Sequence, residues 1–242
     1  MLTVNLHMGF SFLNRRFILP ALREAVRGVS ADLVFLQEVM GAHVTHAAQV
    51  PGWPPLPHHE FLADALWDQF AYGRNAVYTE GHHGNALLSK FPILRHENLD
   101  VSVPGPQEQR GLLHCVLSLP DGRPLHAVCV HLGLREAHRR HQIDRLSGLI
   151  DALPPDVPLV VAGDFNDWRL CANKQLLRCP GMQEVFITSR GAAARTFPAR
   201  WPVLQLDRIY LRNALAHRPL SLPRRAWSHL SDHLPLGAEI RV

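Results

Sequence analysis

Apolar residues along the chain fall into short runs separated by polar, glycine- or proline-containing loops, a pattern that predicts many strands and few helices. The predicted strands are, in chain order, LTVNL (2–6), DLVFLQEV (32–39), GNALLSKFPI (84–93), LLHCVLSL (112–119), RPLHAVCV (123–130), PLVVAGD (158–164), LDRIYL (206–211) and LGAEIRV (236–242). The dipeptide Asp121-Gly122, between two of these runs, predicts a β-hairpin.

Two longer segments have helical rather than strand-like spacing. Residues 15–28 carry an apolar stripe around Leu22 with arginines off that face, and residues 134–152 carry another around Leu146. The proline-rich segment PGWPPLPHHE (51–60) predicts a surface loop, mobile or lid-like, that is too short for a domain linker. Because the chain has no internal repeat and no low-complexity segment, we expect a single domain over residues 1–242.

Composition and charge constrain the partner only loosely. The chain of 242 residues is 47% hydrophobic and 19% charged, so a sizeable core is expected and disorder is not. Its formal charge of +4 and its pI of about 9.2 suit a polyanionic or phosphorylated partner. Many basic soluble proteins bind nothing charged, and composition alone leaves both alternatives open.

The cysteines and the N-terminus indicate the cellular setting. The four cysteines, at 115, 129, 171 and 179, form no C-x-x-C pair, which gives no support to a zinc ribbon or a thioredoxin-like site. The N-terminus does not have the pattern of a signal peptide, and no apolar stretch is long enough to span a membrane. We therefore expect a cytoplasmic protein with reduced thiols, monomeric and without an obligate protein partner.

Polar side chains follow several of the predicted strands. In VVAGDFNDW (160–168), an apolar run leads directly into Asp164, Asn166 and Asp167, more oxygen-bearing side chains than a turn needs. Similar residues stand in or beside other predicted strands: Asn5, Glu38, His131, Asp207, Ser231, Asp232 and His233. Each alone has an ordinary explanation, such as a turn or a hydrogen-bonded core histidine. Their joint occurrence predicts a site built at the strand ends.

The same residues fall in motifs that resemble the endonuclease/exonuclease/phosphatase superfamily, the DNase I-like group. The motifs are Asn5, LQEV around Glu38, HLGL from His131, GDFND from Gly163, LDRIYL around Asp207 and SDH at 231–233. GDFN and SDH, about 70 residues apart, are specific as a pair. The sequence between the motifs, such as GHHGNALLSKFPI, is similar to that of a small bacterial branch of uncharacterised hydrolases.

The resemblance implies a fold and a chemistry. The fold would be a four-layer α/β sandwich, in which two mixed β-sheets pack face to face with helices outside. The site would lie at the end where strands of both sheets stop. The activity would be hydrolysis of a phosphodiester by an activated water, assisted by Mg²⁺ or Mn²⁺, because a divalent cation neutralises the charge that repels the nucleophile.

The resemblance also implies which residues hold the metal. Glu38 would be the direct ligand, with Asn5 beside it and Asp232 acting through water. The histidine pairs at 58–59 and 82–83 suggest zinc, but we interpret them as surface-loop residues, because carboxylates and amides suit Mg²⁺ or Mn²⁺ better.

Five residues would form the catalytic group. Asp164 would orient or deprotonate the attacking water, and Asn166 would donate its amide to a phosphoryl oxygen or hold the water. His131 and His233 would donate to non-bridging oxygens. Asp207 would hold His233 in one tautomer and orientation through a hydrogen bond. The sequence leaves open which group is the general base.

Three further residues are candidates for substrate binding. Arg110 precedes a predicted strand, where DNase I-like members carry a phosphate-contacting arginine, but an exposed loop arginine is an equal alternative. Asn85 precedes another strand and would reach the same pocket. His7 follows Asn5 by two residues and would share its face of the strand, where similar enzymes tend to carry an aspartate.

Three functions remain open on these grounds. We favour a metal-dependent nuclease acting on DNA or RNA. The alternative is a phosphodiesterase or phosphatase acting on phospholipid head groups or small phosphorylated metabolites. A non-catalytic binding module is disfavoured because no expected site residue is missing. The segment RGAAARTFPARWP (190–202), in which arginines alternate with Phe197 and Trp201, suits base stacking or an anionic membrane surface equally.

Overall fold

A computed structural model of the protein describes all residues, 1–242, and shows two six-stranded sheets with helices outside them. The strands are β1 (Leu2–Asn5), β2 (Leu33–His43), β3 (Gln69–Tyr78), β4 (Gly81–Ser89), β5 (Ile93–Asp100), β6 (Gly111–Ser118), β7 (Pro124–His131), β8 (Leu159–Asp164), β9 (Gln183–Glu184), β10 (Asp207–Arg212), β11 (Ala216–Pro219) and β12 (Leu236–Arg241). The helices are α1 (Leu19–Val29), α2 (Val44–Gln49), α3 (His58–Ala63), α4 (Glu136–Ala152), α5 (Cys171–Leu176), α6 (Val185–Arg190) and α7 (Arg224–Trp227).

Both sheets are mixed. The first has the strand order β11-β12-β1-β2-β4-β3 and the second has the order β5-β6-β7-β8-β10-β9. The pairs β1–β2 and β7–β8 are parallel, and the remaining neighbours are antiparallel. Each sheet therefore has one place where two strands end side by side in the same direction.

Three apolar clusters separate four layers. The largest lies between the sheets and joins side chains such as Phe35 of β2 and Cys115 of β6. A second cluster packs α1 and α3 against the first sheet around Leu22, and a third packs α4 and α5 against the second sheet around Leu146. Burial of this apolar surface is the main favourable contribution to the sandwich. The expected four-layer α/β sandwich is thus confirmed.

Alternation along the strands decides which side chains enter the space between the sheets. In β8, Val160 and Ala162 face the other sheet, whereas Val161 faces the helices. Continued alternation places Asp164, the last residue of β8, in the layer between the sheets. The same rule applies to Asp207 at the start of β10.

The two predicted helices are present, with shifted starts. The first begins at Leu19, later than expected, because Pro20 suits the first turn, where its missing N–H would have no partner. Residues 12–14, before the predicted start, form a 3₁₀ turn. The second helix is Glu136–Ala152, two residues shorter than predicted. The predicted hairpin at Asp121-Gly122 joins β6 to β7.

The assignment of the histidine pairs to surface loops was wrong, because all four residues lie in a helix or a strand and three of them are buried. The proline-rich segment runs into α3, where His58 and His59 are buried. The ring of His58 lies 4.7 Å from that of Trp53, and that of His59 stacks on Tyr72 at 4.6 Å. His83 is buried in β4. Aromatic neighbours therefore make these rings part of the packing.

Strands β3 and β5 were not predicted. Polar residues interrupt both, in QFAYGRNAVY and ILRHENLD, and most of β5 is exposed at a sheet edge. The predicted strand 84–93 is in fact two: β4 stops at Ser89, and β5 begins at Ile93. No helix in the chain is long and apolar enough to cross a membrane.

Candidate active site

Polar side chains meet where strands of both sheets stop. In the second sheet, the register places His131 of β7 beside Asp164 of β8, and Asp164 beside Asp207 of β10. In the first sheet, β1 ends at Asn5, which pairs with Gln37 of β2. Because β1–β2 and β7–β8 are parallel pairs, their carboxyl ends lie together at one edge of each sheet, as at other α/β sites.

Glu38 enters the same space through a β-bulge. The pairing of β2 with β4 shifts its register between Leu36 and Val39, and Glu38 has a φ of +53°. A regular strand would send Gln37 and Glu38 to opposite faces, but the bulge redirects the side chain. As a result, Glu38 Oε1 accepts a hydrogen bond from Asn5 Nδ2 at 3.1 Å. The left-handed φ costs of order 1 kcal/mol and marks a position held by its surroundings.

Asp207 and His233 form a buried hydrogen-bonded pair. His233 Nδ1 lies 2.9 Å from Asp207 Oδ2, and the other ring nitrogen, Nε2, faces Asp164 Oδ2 at 3.8 Å. Burial disfavours the charged ring, but the Asp207 and Asp164 carboxylates outweigh it and raise the pKa of His233 to about 10. The protonated ring therefore presents Nε2–H towards Asp164.

Asp164 lies at the centre of the group. Its Oδ2 accepts a hydrogen bond from Asn5 Nδ2 at 3.2 Å, and its Oδ1 accepts one from the backbone N–H of Asn166 at 2.8 Å. Burial raises the pKa of Asp164 to about 7. The attraction of His233 offsets only part of this rise, and the nearby Asp207 charge raises the pKa further. A carboxylate with such a pKa can accept a proton near neutral pH.

His131 and Asn166 lie on either side of Asp164. His131 Nε2 is 3.7 Å from Asp164 Oδ2 and 3.9 Å from Glu38 Oε1. Burial, together with the nearby Arg110 charge, lowers the pKa of His131 well below its ordinary value, so this ring is neutral. Asn166 has a φ of +50°, which asparagine tolerates, and its Nδ2 donates to a backbone carbonyl at 2.8 Å.

His7 stands between two carboxylates. Its Nδ1 lies 3.2 Å from Asp232 Oδ2 and 3.7 Å from Glu38 Oε2. The chain bends at Asp232 and His233, so consecutive residues can both face the site. Ser231 fixes this bend, because its Oγ donates to the backbone carbonyl at the end of β1 at 2.8 Å and accepts from the His233 N–H at 3.2 Å.

The pair Glu38 and Asp232 fits a divalent cation. Both carboxylates converge on one side-chain nitrogen of His7, and converging carboxylates are the donors that Mg²⁺ prefers. Asn5 is oriented differently from a metal ligand: its Oδ1 accepts the His7 N–H at 2.9 Å, and its nitrogen faces Glu38. In this orientation Asn5 positions the carboxylates.

A second group of potential ligand atoms lies deeper in the buried part of the site. Asp164, Asp207 and His233 each offer an atom within 4.8 Å of the others. However, Asp207 already occupies Nδ1 of His233, and the remaining nitrogen faces Asp164. The contacts of this group therefore favour proton handling over metal binding.

Most of the candidate residues line one cavity of about 470 Å³. Those on its wall are His7, Glu38, Arg110, His131, Asp164, Asn166, Asp232 and His233. Asp207 lies behind His233. Asn85 does not reach the cavity, contrary to expectation: it lies inside β4, and its Nδ2 donates to the carbonyls of Gly111 and Cys129 in the second sheet. Asn85 links the two sheets.

Glu108 and His83 also line the cavity, and the sequence analysis missed both. Glu108 Oε2 lies 2.6 Å from Arg110 Nη1, and Glu108 Oε1 lies 2.5 Å from His83 Nε2. The sequence offered one signal for Glu108: an acidic residue two positions before Arg110, a spacing that puts both side chains on one face of an extended segment. The apolar wall residues, among them Leu134 and Trp168, carried no signal of their own.

Comparisons with known sequences found a matching family model and similar proteins. The model of the Endonuclease/Exonuclease/phosphatase family matches residues 2–233. The protein YbhP of Escherichia coli strain K12, described as uncharacterised, is 57% identical over 242 residues, which are 100% of this chain and 95% of YbhP. The YbhP protein of Shigella flexneri is similar to the same extent.

Solved structures show the same fold at low sequence identity. An endonuclease/exonuclease/phosphatase from Beutenbergia cavernae superposes with a TM-score of 0.79 at 18% identity, over 100% of this chain and 70% of that one. One from Bacteroides vulgatus has a TM-score of 0.72 at 17% identity, with 99% and 98% covered. The TDP2 protein of D. rerio, complexed with a single-strand DNA product, has a TM-score of 0.64 at 18% identity, with 97% and 95% covered.

Proposed function

Because the chain belongs to the Endonuclease/Exonuclease/phosphatase family, we propose that it is a metal-dependent hydrolase of phosphodiesters. The observation that carries the proposal is the position of Asp164 within 3.8 Å of a nitrogen of both His131 and His233, on the wall of a cavity that also holds Arg110. Nucleic acid is the first substrate candidate, and phospholipid head groups or small phosphate esters are the alternative. Activity measured on nucleic acids and on phospholipids distinguishes these classes.

The side chains divide the work of hydrolysis. Asp164 orients a water and takes its proton, which its pKa of about 7 permits. His233, held by Asp207, donates Nε2–H to an oxygen of the phosphate as negative charge develops there. The neutral ring of His131 and the side-chain amide of Asn166 hold other oxygens of the phosphate. This arrangement uses each of the five catalytic candidates once.

Arg110 gives the cavity its affinity for an anion. Glu108 fixes its guanidinium from one side, so the remaining N–H groups are free to meet a phosphate oxygen. Glu38 and Asp232 would hold Mg²⁺ or Mn²⁺, with Asn5 orienting Glu38. When bound, the ion would neutralise phosphate charge and favour nucleophilic attack.

Metal dependence tests the proposal. Activity is measured on a panel of bis-p-nitrophenyl phosphate, plasmid DNA, single-stranded DNA, RNA and phospholipid. Hydrolysis of any of these substrates should disappear with EDTA and return with Mg²⁺ or Mn²⁺. Glu38→Gln should raise the metal concentration for half-maximal activity roughly tenfold or more, because it removes a carboxylate ligand. It should also reduce the rise in melting temperature that metal produces in the intact enzyme, a measurement that does not depend on turnover.

The matched control is Glu80→Gln, an exposed glutamate away from the cavity, which should leave both measurements unchanged. Full activity of the metal-free enzyme would refute the mechanism. Inactivity on every substrate with either ion would favour the non-catalytic alternative.

A further inference from the structure

Large apolar side chains are exposed around the mouth of the catalytic cavity. Leu134 and Trp168 line the cavity itself, and Phe12 and Trp201 line a neighbouring one that shares Asp232 with it. Leu13 directly follows Phe12, Val203 lies two residues after Trp201, and both are also exposed. We call these six residues the apolar rim: Phe12, Leu13, Leu134, Trp168, Trp201 and Val203. Trp201 is 73% exposed and Leu134 is 71% exposed, which no contribution to the core explains.

The rim is held by defined backbone contacts. Leu13 has a φ of +61°, an unfavourable conformation for leucine, within the 3₁₀ turn at 12–14. The carbonyl of Leu134 accepts a hydrogen bond from Arg139, whose guanidinium also lies 5.2 Å from the ring of Trp168. The backbone N–H of Trp201 donates to the carbonyl of Pro198 at 3.1 Å. These contacts fix the backbone that carries the exposed side chains, and exposed apolar side chains contribute little to the stability of the fold.

Positive charge is concentrated on the same segments. Six exposed arginines lie beside the rim: Arg15 and Arg16 after Leu13, Arg135 after Leu134, Arg169 after Trp168, Arg200 before Trp201, and Arg224, which donates to the Arg200 carbonyl. Two acidic residues lie on these segments: Glu136 is paired with Arg140 and Arg169, and Asp167, which precedes Trp168, is buried. The exposed charge on these segments is therefore mainly positive.

The chemistry of the rim distinguishes its possible occupants. A nucleic-acid surface would combine the arginines with aromatic rings that stack on bases, but half of the rim is leucine and valine, which cannot stack. A bilayer surface accommodates all three types, because aliphatic side chains enter the acyl boundary, tryptophan lies at the interface and arginine meets anionic head groups. A protein partner on this face would cover the cavity, whereas a bilayer would present its phospholipid head groups to the cavity as substrate.

We propose that the apolar rim and its arginines dock the protein on an anionic phospholipid surface, so that the head group of a lipid in that surface enters the cavity. This inference rests on the proposed phosphodiester hydrolysis and names its substrate class. In the reaction, the water oxygen forms a bond to phosphorus and one P–O ester bond breaks. The leaving oxygen takes up a proton, and the products are an alcohol and a phosphomonoester.

Vesicle flotation tests the docking. With Mg²⁺ present, the wild-type chain should bind vesicles of phosphatidylcholine containing about one-third phosphatidylglycerol, and binding to phosphatidylcholine alone should be at least roughly tenfold weaker. The double variant Leu13→Ser/Trp201→Ser should lose roughly tenfold or more in affinity for the mixed vesicles, because two apolar anchors are removed. Arg135→Gln/Arg200→Gln should weaken binding and flatten its salt dependence.

The matched control is Leu215→Ser. Leu215 is as exposed as Trp201, but it follows the end of β10 opposite to Asp207, so this variant should bind vesicles like the wild type. Circular dichroism melts confirm that each variant is folded. Absence of vesicle binding, equal binding to both vesicle types, or equal loss in the Leu215 variant would overturn the inference.

Activity assays separate the two proposals. Metal-dependent hydrolysis of bis-p-nitrophenyl phosphate without vesicle binding would leave the proposed function standing and refute the docking. Vesicle binding without hydrolysis of any phosphodiester would refute the proposed function and the assignment of lipid as substrate, and would leave only the docking standing. Cleavage of single-stranded DNA that depends on the rim, with no lipid hydrolysed, would identify the rim as a nucleic-acid surface and overturn the lipid assignment.

Discussion

Replacement of His58 by leucine would measure how much the fold depends on a neutral buried imidazole. His58 opens α3, is 1% exposed, and packs against the rings of Trp53 at 4.7 Å and Phe17 at 6.0 Å. Burial, with smaller contributions from His59 and His46, lowers the pKa of His58 from 6.5 to about 3. The ring is therefore neutral in the folded protein over a range in which the unfolded chain binds a proton.

The sign and the size of the effect follow from that difference. Because the pKa is depressed on folding, the unfolded state binds more protons as the pH falls, and acid favours unfolding. Each pH unit below the unfolded pKa of 6.5 lowers the free energy of unfolding by about 1.4 kcal/mol. The loss is therefore about 2 kcal/mol at pH 5 and almost nothing at pH 7.5. The loss continues down to the folded pKa of about 3 and then stops.

Urea unfolding at pH 7.5 and pH 5 would test this difference. Between the two conditions the wild type should lose about 2 kcal/mol more stability than His58→Leu, since leucine has a similar volume and no proton to bind. The matched control, His96→Leu, changes an exposed ring on β5 and should follow the wild type. Equal losses in the wild type and His58→Leu would refute the reasoning, because they would show that the buried ring can be protonated in place.

Three further predictions concern the site and the core. His233→Ala should lower kcat by roughly 10² to 10⁴. Asp207→Asn should do less, and the double variant should be little worse than His233→Ala alone, whereas additive losses would give Asp207 a separate role. Arg110→Ala should raise KM for an anionic substrate roughly 10- to 100-fold, the loss of one charged hydrogen bond, and an effect confined to kcat would contradict a binding role. Burial raises the pKa of Cys115 and Cys129 to about 12, so neither should react with a maleimide at pH 7.5 until the protein is unfolded; fast labelling of the native protein, detected by mass spectrometry, would contradict this.

The central strands and the strand-end residues could be predicted because they depend on local patterns. A run such as the one that ends at Asp164 is apolar enough to be a buried strand and stops abruptly at a glycine and a carboxylate. The motifs around Glu38, Asp207 and His233 added the expectation that these ends converge. The family model and the two mixed sheets agree with that expectation of the fold.

The remaining features depend on contacts between distant parts of the chain. The bulge that turns Glu38 into the site is set by the pairing of β2 with β4, and nothing in the local sequence marks it. Asn85 was placed wrongly because its partners, two carbonyls of the opposite sheet, cannot be identified from sequence. The burial of His58 depends on aromatic residues of other segments, and a histidine after a proline run otherwise indicates a loop.

The location of the candidate site follows from how the core between the sheets ends. Inside the sandwich, every second position of β7, β8 and β10 is apolar; at the edge, the same positions carry His131, Asp164 and Asp207. These side chains are packed against the core on one side and lie beside a cavity on the other. Water therefore screens them little, and the charge of Asp164 is balanced mainly by His233. An exposed cluster of the same residues would be screened by solvent and would keep ordinary proton affinities. The raised pKa of Asp164, on which the proposed proton transfer depends, is thus a consequence of sheet packing as much as of the motif itself.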